Sequence, residues 1–416
     1  MVISLRKPNS FLVLETGLIA VMIAAPLLFG SVHAWASMLW LAVLFSLLFC
    51  HPEAFLQLKN LPRISLGGAL LVAVFLSIQI FFTSLNPYAT AQESLKWLGY
   101  ACGFLLVQLL PLGSILRLAS VVMLTGVAES LYGLFQALPG QERVLWQIKE
   151  SHLGFFTGTY LNRNHLAGLL ELTAGVSLGF WLRALRVRKI GSTAVYGICL
   201  LLILAGLLRT GSRAGILCMA LTLVVSLFLS AQKFFKRAFP FLCIFFAMLA
   251  GVIWASRHIF LARFLDSDDC WLPWQSERWL VWHDTLRMIR SHAWFGTGLG
   301  AFERVFPAYQ SGKLLMGWTH AHQDYLELAA GLGVPAFTAL ILSWGSLLSE
   351  GISKLKTTDP AVLPLVMGIS VSLGAFLLHG LTDFNFAIPA NALFFVLLAG
   401  MLIRLVSFQG EPGASS

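Results

Sequence analysis

Hydrophobic residues in this chain fall in continuous runs, not at the spacing of a half-buried helix or strand. A run of about 20 apolar residues crosses a bilayer as a helix. The pattern predicts twelve spans: Phe11–Gly30, Ala34–Cys50, Ile64–Phe82, Trp97–Leu112, Leu118–Ala137, Leu166–Leu182, Ala194–Leu208, Ala214–Leu229, Ala238–Ala255, Tyr325–Leu348, Ala361–Leu378 and Ile388–Leu405. Pro111-Leu112-Gly113 separates the fourth from the fifth. With no repeat and no low-complexity linker, residues 1–416 read as one membrane domain carrying one long insertion, 256–324. The expected class is all-α, a polytopic integral membrane protein.

Composition supports this. The chain is 58% hydrophobic and 11% charged, where a soluble domain is roughly a quarter charged. The net charge of +9 is spread in short clusters between apolar runs. That pattern suits membrane orientation and argues against a nucleic-acid partner. Cys50, Cys102, Cys199, Cys218 and Cys243 lie in or beside apolar runs, and Cys270 has no loop partner. They read as small packing residues, without a zinc or redox spacing. Phe11–Gly30 is long for a signal-peptide core, so an uncleaved first span is expected.

Lysine and arginine set the orientation. With the N-terminus inside, the inner loops hold fifteen of them, led by the blocks 183–189 and 233–237. The short outer loops hold six: Lys96, Arg143, Lys149, Arg163, Arg209 and Arg213. Both termini are then cytoplasmic and the 256–324 loop faces out.

That topology gathers the unusual polar stretches at the outer face. They are Tyr160 to His165, Arg209 to Arg213, Glu277 to Trp279, Gly296 to Gly300, Thr319 to Tyr325 and His379 to Asp383. Each has a plainer alternative. Arg209 and Arg213 stand where arginines snorkel to headgroups, although snorkelling arginines favour the inner side. Asn162, Arg163, Asn164 and His165 suit a helix start. His320 and His322 have metal-ligand chemistry, but no HExxH or carboxylate cluster completes a set, so no metal is expected. Gly296, Gly298 and Gly300 follow no predicted strand and read as a turn. Trp271, Trp274, Trp279, Trp282, Trp294 and Trp318 suit sugar stacking and interfacial anchoring equally.

Arginines and a histidine at one membrane face make a workable chemical set. Guanidinium forks onto phosphate oxygens, and a neutral imidazole takes a proton from a hydroxyl. A substrate with a lipid tail, a pyrophosphate and a sugar would use both, fixed cations standing in for a metal ion.

At these residues the chain resembles the O-antigen ligase and polysaccharide polymerase family of membrane glycosyltransferases. The likeness runs from about Thr157 to Asn391. Its parts are Gly158-Thr-Tyr-Leu-Asn-Arg-Asn-His-Leu-Ala-Gly168, Thr210-Gly-Ser-Arg-Ala-Gly215, Arg278-Trp-x-x-Trp282, Gly296-Thr-Gly-Leu-Gly-Ala-Phe302, His322-Gln-Asp-Tyr-Leu326 and Asp383-Phe-Asn-Phe-x-x-Pro389. The resemblance implies the bacterial inner membrane, with the site facing the periplasm. It implies a polyprenyl-pyrophosphate-linked glycan donor, a saccharide or lipid A-core acceptor, surrounding membrane lipids, and metal-independent inverting transfer with no cofactor. By the same resemblance Arg213 and Arg278, with Arg163, would bind the donor and His322 would be the base. Asn164, His165, His320 and Asp383 would support them. Gln323 departs from the asparagine or serine that often follows this histidine in the family. Ligase, polymerase and protein O-glycosyltransferase share these pieces. A transporter or flippase of an anionic or lipid-linked substrate is the alternative from another class, though the polar residues cluster at one face and not at the midplane.

The topology has a direct check. Cysteines placed in 256–324, after the six native ones are removed, are expected to label with a membrane-impermeant thiol reagent in intact spheroplasts. Labelling only after lysis overturns the orientation.

Overall fold

In the computed structural model the apolar runs are α-helices. The structure describes residues 8–136, 138, 142–224, 243, 246–251, 253, 254, 257, 277–312, 314 and 317–408. Along the chain come α1 (Pro8–Leu27), α2 (Ala34–Cys50), α3 (Arg63–Ile78, prolonged by a π-turn to Thr83), α4 (Pro87–Val107) and α5 (Leu112–Gln136). They are followed by α6 (Arg163–Arg186), α7 (Ile190–Thr210) and α8 (Arg213–Val224). After the gap come α9 (Glu277–Ser291), α10 (Asp324–Leu332), α11 (Val334–Ser353), α12 (Leu363–His379) and α13 (Pro389–Ser407). The described strands are two residues each, β1 (Arg143–Val144) and β2 (Gln147–Ile148), paired antiparallel.

Among the described residues, five helices are long and apolar enough to cross a membrane: α3 with its π-turn, α5, α6, α7 and α13. A sixth is α2 together with Pro52–Asn60, which bends away from it by 84°. Phe11–Leu27, α8 and α12 are shorter apolar helices. The chain is therefore a multi-pass helical membrane protein. Half of the expected span Ala238–Ala255 lies outside the described residues, as do the last five residues of Ala214–Leu229 and most of 256–276. The expectation that the cysteines are core residues holds for Cys102 but not for Cys50 or Cys243, which are exposed. On a membrane helix an apolar surface faces lipid as readily as core.

α6 is the axis of the bundle. Every residue from His165 to Trp181 is buried, with α5, α7, α12 and α13 packed around it. Bare backbone makes the α6–α12 crossing. A Cβ on Gly175 would lie 2.5 Å from the Gly368 carbonyl oxygen, and one on Gly179 2.9 Å from the Leu365 Cα. Ser372 of α12 donates its hydroxyl proton to the Leu172 carbonyl at 2.6 Å. Small residues four apart allow this approach, and in lipid the gain is packing and hydrogen bonding, since burial away from water is already complete.

The expected span Tyr325–Leu348 is not continuous. It breaks at Gly333 (φ +79°) into α10 and α11. Against the break lies Gly296-Thr-Gly-Leu-Gly300, whose glycines all have positive φ. Thr297 N–H donates to the Ala330 carbonyl (2.9 Å), Gly298 N–H to Gly331 (3.1 Å) and Val334 N–H to Ala293 (2.7 Å). The buried Gln79 side chain from the α3 π-turn donates to the Gly331 carbonyl at 2.7 Å. A side chain at Gly333 would run into the Trp294 carbonyl. The glycines thus form a turn, as expected, and the turn clamps the helix that begins just after His322.

The crossing yields a test. Gly368→Val and Gly175→Leu are expected to cost about 1–3 kcal/mol or more through overpacking, read as a lower unfolding temperature and a smaller monodisperse fraction in detergent. Gly374→Ala, where nothing lies within 4 Å, is the control and should stay within about 0.5 kcal/mol of wild type.

Candidate active site

The segment 318–324 is held on both sides of His322, through the backbone of Ala321 and of Asp324. Trp282 of α9 donates its indole N–H to the Ala321 carbonyl at 3.0 Å. Ala321 N–H donates to Glu327 at 2.8 Å. Asp324 N–H is shared by the Gly380 and Asp383 carbonyls at 2.9 and 3.0 Å. Gln323 caps α10 by accepting from Leu326 N–H. Within this frame His322 takes φ +51°, a left-handed conformation rare for a side chain with a Cβ. Such a conformation persists only where its surroundings impose it.

Phe384, in the turn after α12, is the hub on which three histidines meet. His320 stacks on its face with ring centroids 4.1 Å apart. His322 and His165 meet it edge-on, each at 4.7 Å. Trp318 stands edge-on to His322 at 5.3 Å. Asp383 is 1% exposed, and its carboxylate lies 3.9 Å from His322 Nδ1. That exceeds hydrogen-bond length, so its hold on the ring is electrostatic. Arg278 of α9 donates from Nη1 to the Thr382 carbonyl at 2.9 Å, which brings its charge beside the same turn.

The two histidines of the His-Ala-His pair diverge in charge. Burial disfavours the imidazolium of His320, but Glu327, hydrogen-bonded at 2.7 Å, and the charges of Glu93 and Glu303 outweigh it and raise its pKa. For His322, burial and then the positive charge of Arg278 push the pKa down to about 4, with Asp383 opposing. At neutral pH His322 is a neutral imidazole able to accept a proton. Burial works against the Asp383 carboxylate, yet the surrounding His165, His379, Arg278 and His322 side chains outweigh it and lower its pKa.

The other expected residues divide. His165, in the first turn of α6, is brought to Phe384. Asn162 accepts the Asn164 N–H at 2.9 Å, so this block is the helix cap that its sequence also allowed. Arg163 lies over the Phe155 ring at 4.1 Å, and Arg209 over Phe156 at 5.0 Å. Arg213 opens α8, and two residues on Gly215 packs on Ala167 and Glu171 of α6. The segment that Arg213 opens is thus packed on α6, the helix that carries His165.

Sequence reasoning missed several partners. Phe384 sat in a quoted motif, but its aromatic character gave no sign of three ring partners. Asn391 accepts from the Tyr160 hydroxyl at 3.0 Å and donates to the His165 carbonyl at 2.8 Å, tying α13 to the head of α6. Glu171 and His379, both fully buried, place Oε1 and Nδ1 2.9 Å apart. A glutamate inside an apolar run was the available signal for that pair. No three His, Cys, Asp or Glu side chains converge as a metal-ligand set among the described residues. A cavity of about 270 Å³ lined by Gln57, Gln108, Lys354 and Arg404 contains none of these site residues.

Residues 198–341 match the family model described as O-antigen ligase. The matched stretch includes Arg213, Arg278, His320 and His322, while Arg163, His165, Asp383 and Phe384 lie outside it. Among curated proteins none matches the chain.

The charge balance at His322 is testable by itself. Arg278 presses the pKa of His322 downward, so Arg278→Gln is expected to move it up toward the ordinary value of about 6.5. A pH titration of imidazole resonances in isotope-labelled protein reads this, with His322→Gln assigning the signal. An unmoved or lowered titration contradicts the assignment.

Proposed function

We propose, taking membership of the O-antigen ligase and polymerase family as the premise, that this protein is a membrane glycosyltransferase moving a polyprenyl-pyrophosphate-linked glycan to an acceptor hydroxyl. The reading places the enzyme in the bacterial inner membrane with its site toward the periplasm. The observation that carries it is the placement of His322, 3.9 Å from the buried Asp383 carboxylate and edge-on to Phe384, with the Arg278 guanidinium fixed on the neighbouring Thr382 carbonyl.

In this reading the pyrophosphate lies against Arg278, with Arg213 and Arg163 contributing charge from the head of α6 and α8. His322 accepts the proton of the acceptor hydroxyl as the hydroxyl oxygen attacks the anomeric carbon from the face opposite the leaving group. The C–O bond to pyrophosphate breaks, its electrons leave with the polyprenyl pyrophosphate, and the anomeric configuration inverts. A base with a pKa of about 4 is weak, and the best general base titrates near the working pH. Donor binding corrects this. The pyrophosphate's negative charge offsets Arg278, so the His322 pKa climbs once the donor is seated. The base is then strengthened only in the occupied site, which suppresses proton uptake in the empty one. His320, paired with Glu327 and stacked on Phe384, sits on the acceptor side and orients that substrate. Asn164 and His165 act as support at the head of α6.

Purified protein in nanodiscs, given a lipid-pyrophosphate donor with chelator present, tests the proposal. His322→Ala is expected to lower the rate about a hundredfold to ten-thousandfold, with donor binding nearly intact, and His320→Ala to be milder. Arg278→Lys and Arg213→Lys keep charge but lose the two-pronged fork, and both should impair transfer. A His322→Ala enzyme within a few-fold of wild type removes the base from this position, and activity abolished by chelator and restored by a divalent cation would replace the scheme with a metal-dependent one.

A further inference from the structure

Glu171 and His379 lie inside the bundle, each with no exposed surface, and their Oε1 and Nδ1 atoms are 2.9 Å apart. Burying two ionisable groups among apolar helices is costly, and replacement by apolar side chains is often neutral or stabilising. Yet neither residue belongs to the scheme above. Their surroundings point to a use. His379 ends α12, and its carbonyl accepts the Asp383 N–H at 3.2 Å. Asp383 therefore sits one turn beyond the pair, on the path to His322 at 3.9 Å. On its other side, Glu171 supports the segment that opens with Arg213: a Cβ on Gly215 would stand 3.0 Å from Glu171 Oε1.

We propose that Glu171 and His379 are positioning residues of this site: Glu171 anchors the His379 ring as a cation behind Asp383, and that cation holds the carboxylate toward His322. The inference rests on the glycosyltransferase reading for its consequence in catalysis, but its electrostatic content stands apart from any substrate.

Basic side chains surround Asp383. His165 comes from α6, His379 from α12, Arg278 from α9 and His322 from the segment before α10. Asp324 at the start of α10 and Glu171 of α6 are the carboxyl groups that act against it. Of the basic side chains, His379 has a fully buried carboxylate of its own, Glu171 at 2.9 Å. Remove that cation and Asp383 keeps its burial but loses an opposing charge, so it protonates at higher pH. His322 then loses its anionic partner at the acidic end of the working range.

The measurement uses full-length protein in nanodiscs. Carboxyl titration followed by infrared difference spectroscopy, with Asp383→Asn assigning the band, is expected to show Asp383 titrating about one pH unit higher in His379→Gln. Transfer by the same variant should be about tenfold slower at acidic pH and recover toward wild type at alkaline pH, because one unit of pKa is tenfold in the ionised fraction. The KM for donor should stay unchanged. The double variant Glu171→Gln/His379→Gln removes both charges, leaves no uncompensated ion, and is the variant to use if the single one folds poorly. It should regain stability and keep an upward shift smaller than that of the single variant, because the Glu171 charge that acts against Asp383 is removed as well. A wild-type titration of Asp383 in either folded variant overturns the proposal, as does a uniform loss of rate at every pH. A wild-type protein that transfers no glycan overturns the enzymatic reading, while the infrared result still decides the role of the pair.

Discussion

The backbone contact between α6 and α12 governs the rest of the molecule. Gly175 and Gly179 meet Gly368 and the backbone at Leu365 so closely that no side chain fits between them. In lipid, helices gain little from leaving water, so contact of this kind and the Ser372 hydroxyl bond decide how the two helices cross. The consequence appears at their ends. α6 begins with His165, and α12 ends with His379 and continues into Asp383 and Phe384. A crossing set by glycines brings those ends together, and a wider crossing would separate His165 from Phe384.

Around that contact the structure solves a second problem, that of keeping a histidine neutral and directed in a polar cluster that is mostly buried. Burial and Arg278 suppress protonation of His322, and Asp383 stays ionised beside it despite its own burial. Phe384 fills the centre, so three rings are fixed by an apolar surface that exchanges no protons with them. The same packing separates the roles of the two neighbouring histidines. His320 receives the Glu327 carboxylate and the charge that comes with it, and His322 does not.

The glycine clamp at 296–300 shows how a site residue is aimed from a distance. Thr297 and Gly298 bind the carbonyls at the end of α10, and Gln79 joins α3 to the same place. α10 is thereby a short rigid rod with His322 just ahead of its first turn. The left-handed backbone at His322 is a local strain of the kind that such bracing can hold.

Some of this was legible in the residues alone. Continuous apolar runs determine helices that cross a membrane because unsatisfied backbone cannot sit in hydrocarbon. The positions of α2, α6, α7, α12 and α13 could be read within a few residues for that reason. The motif blocks also marked Arg278, His320, His322 and Asp383 as worth joining, since polar groups beside apolar runs are costly unless used. Other features depended on the fold. The break at Gly333 looks like the middle of an apolar run, and only the chain packed against it explains the turn. Phe384 resembles many other phenylalanines until three rings are seen on it, and Glu171 has no visible partner until α12 crosses α6. Side-chain partners more than two hundred residues apart are set by helix crossing, a property of pairs of helices that no single run carries. Run length and polarity determined the elements and the candidate residues; the glycine crossing decided which of them meet.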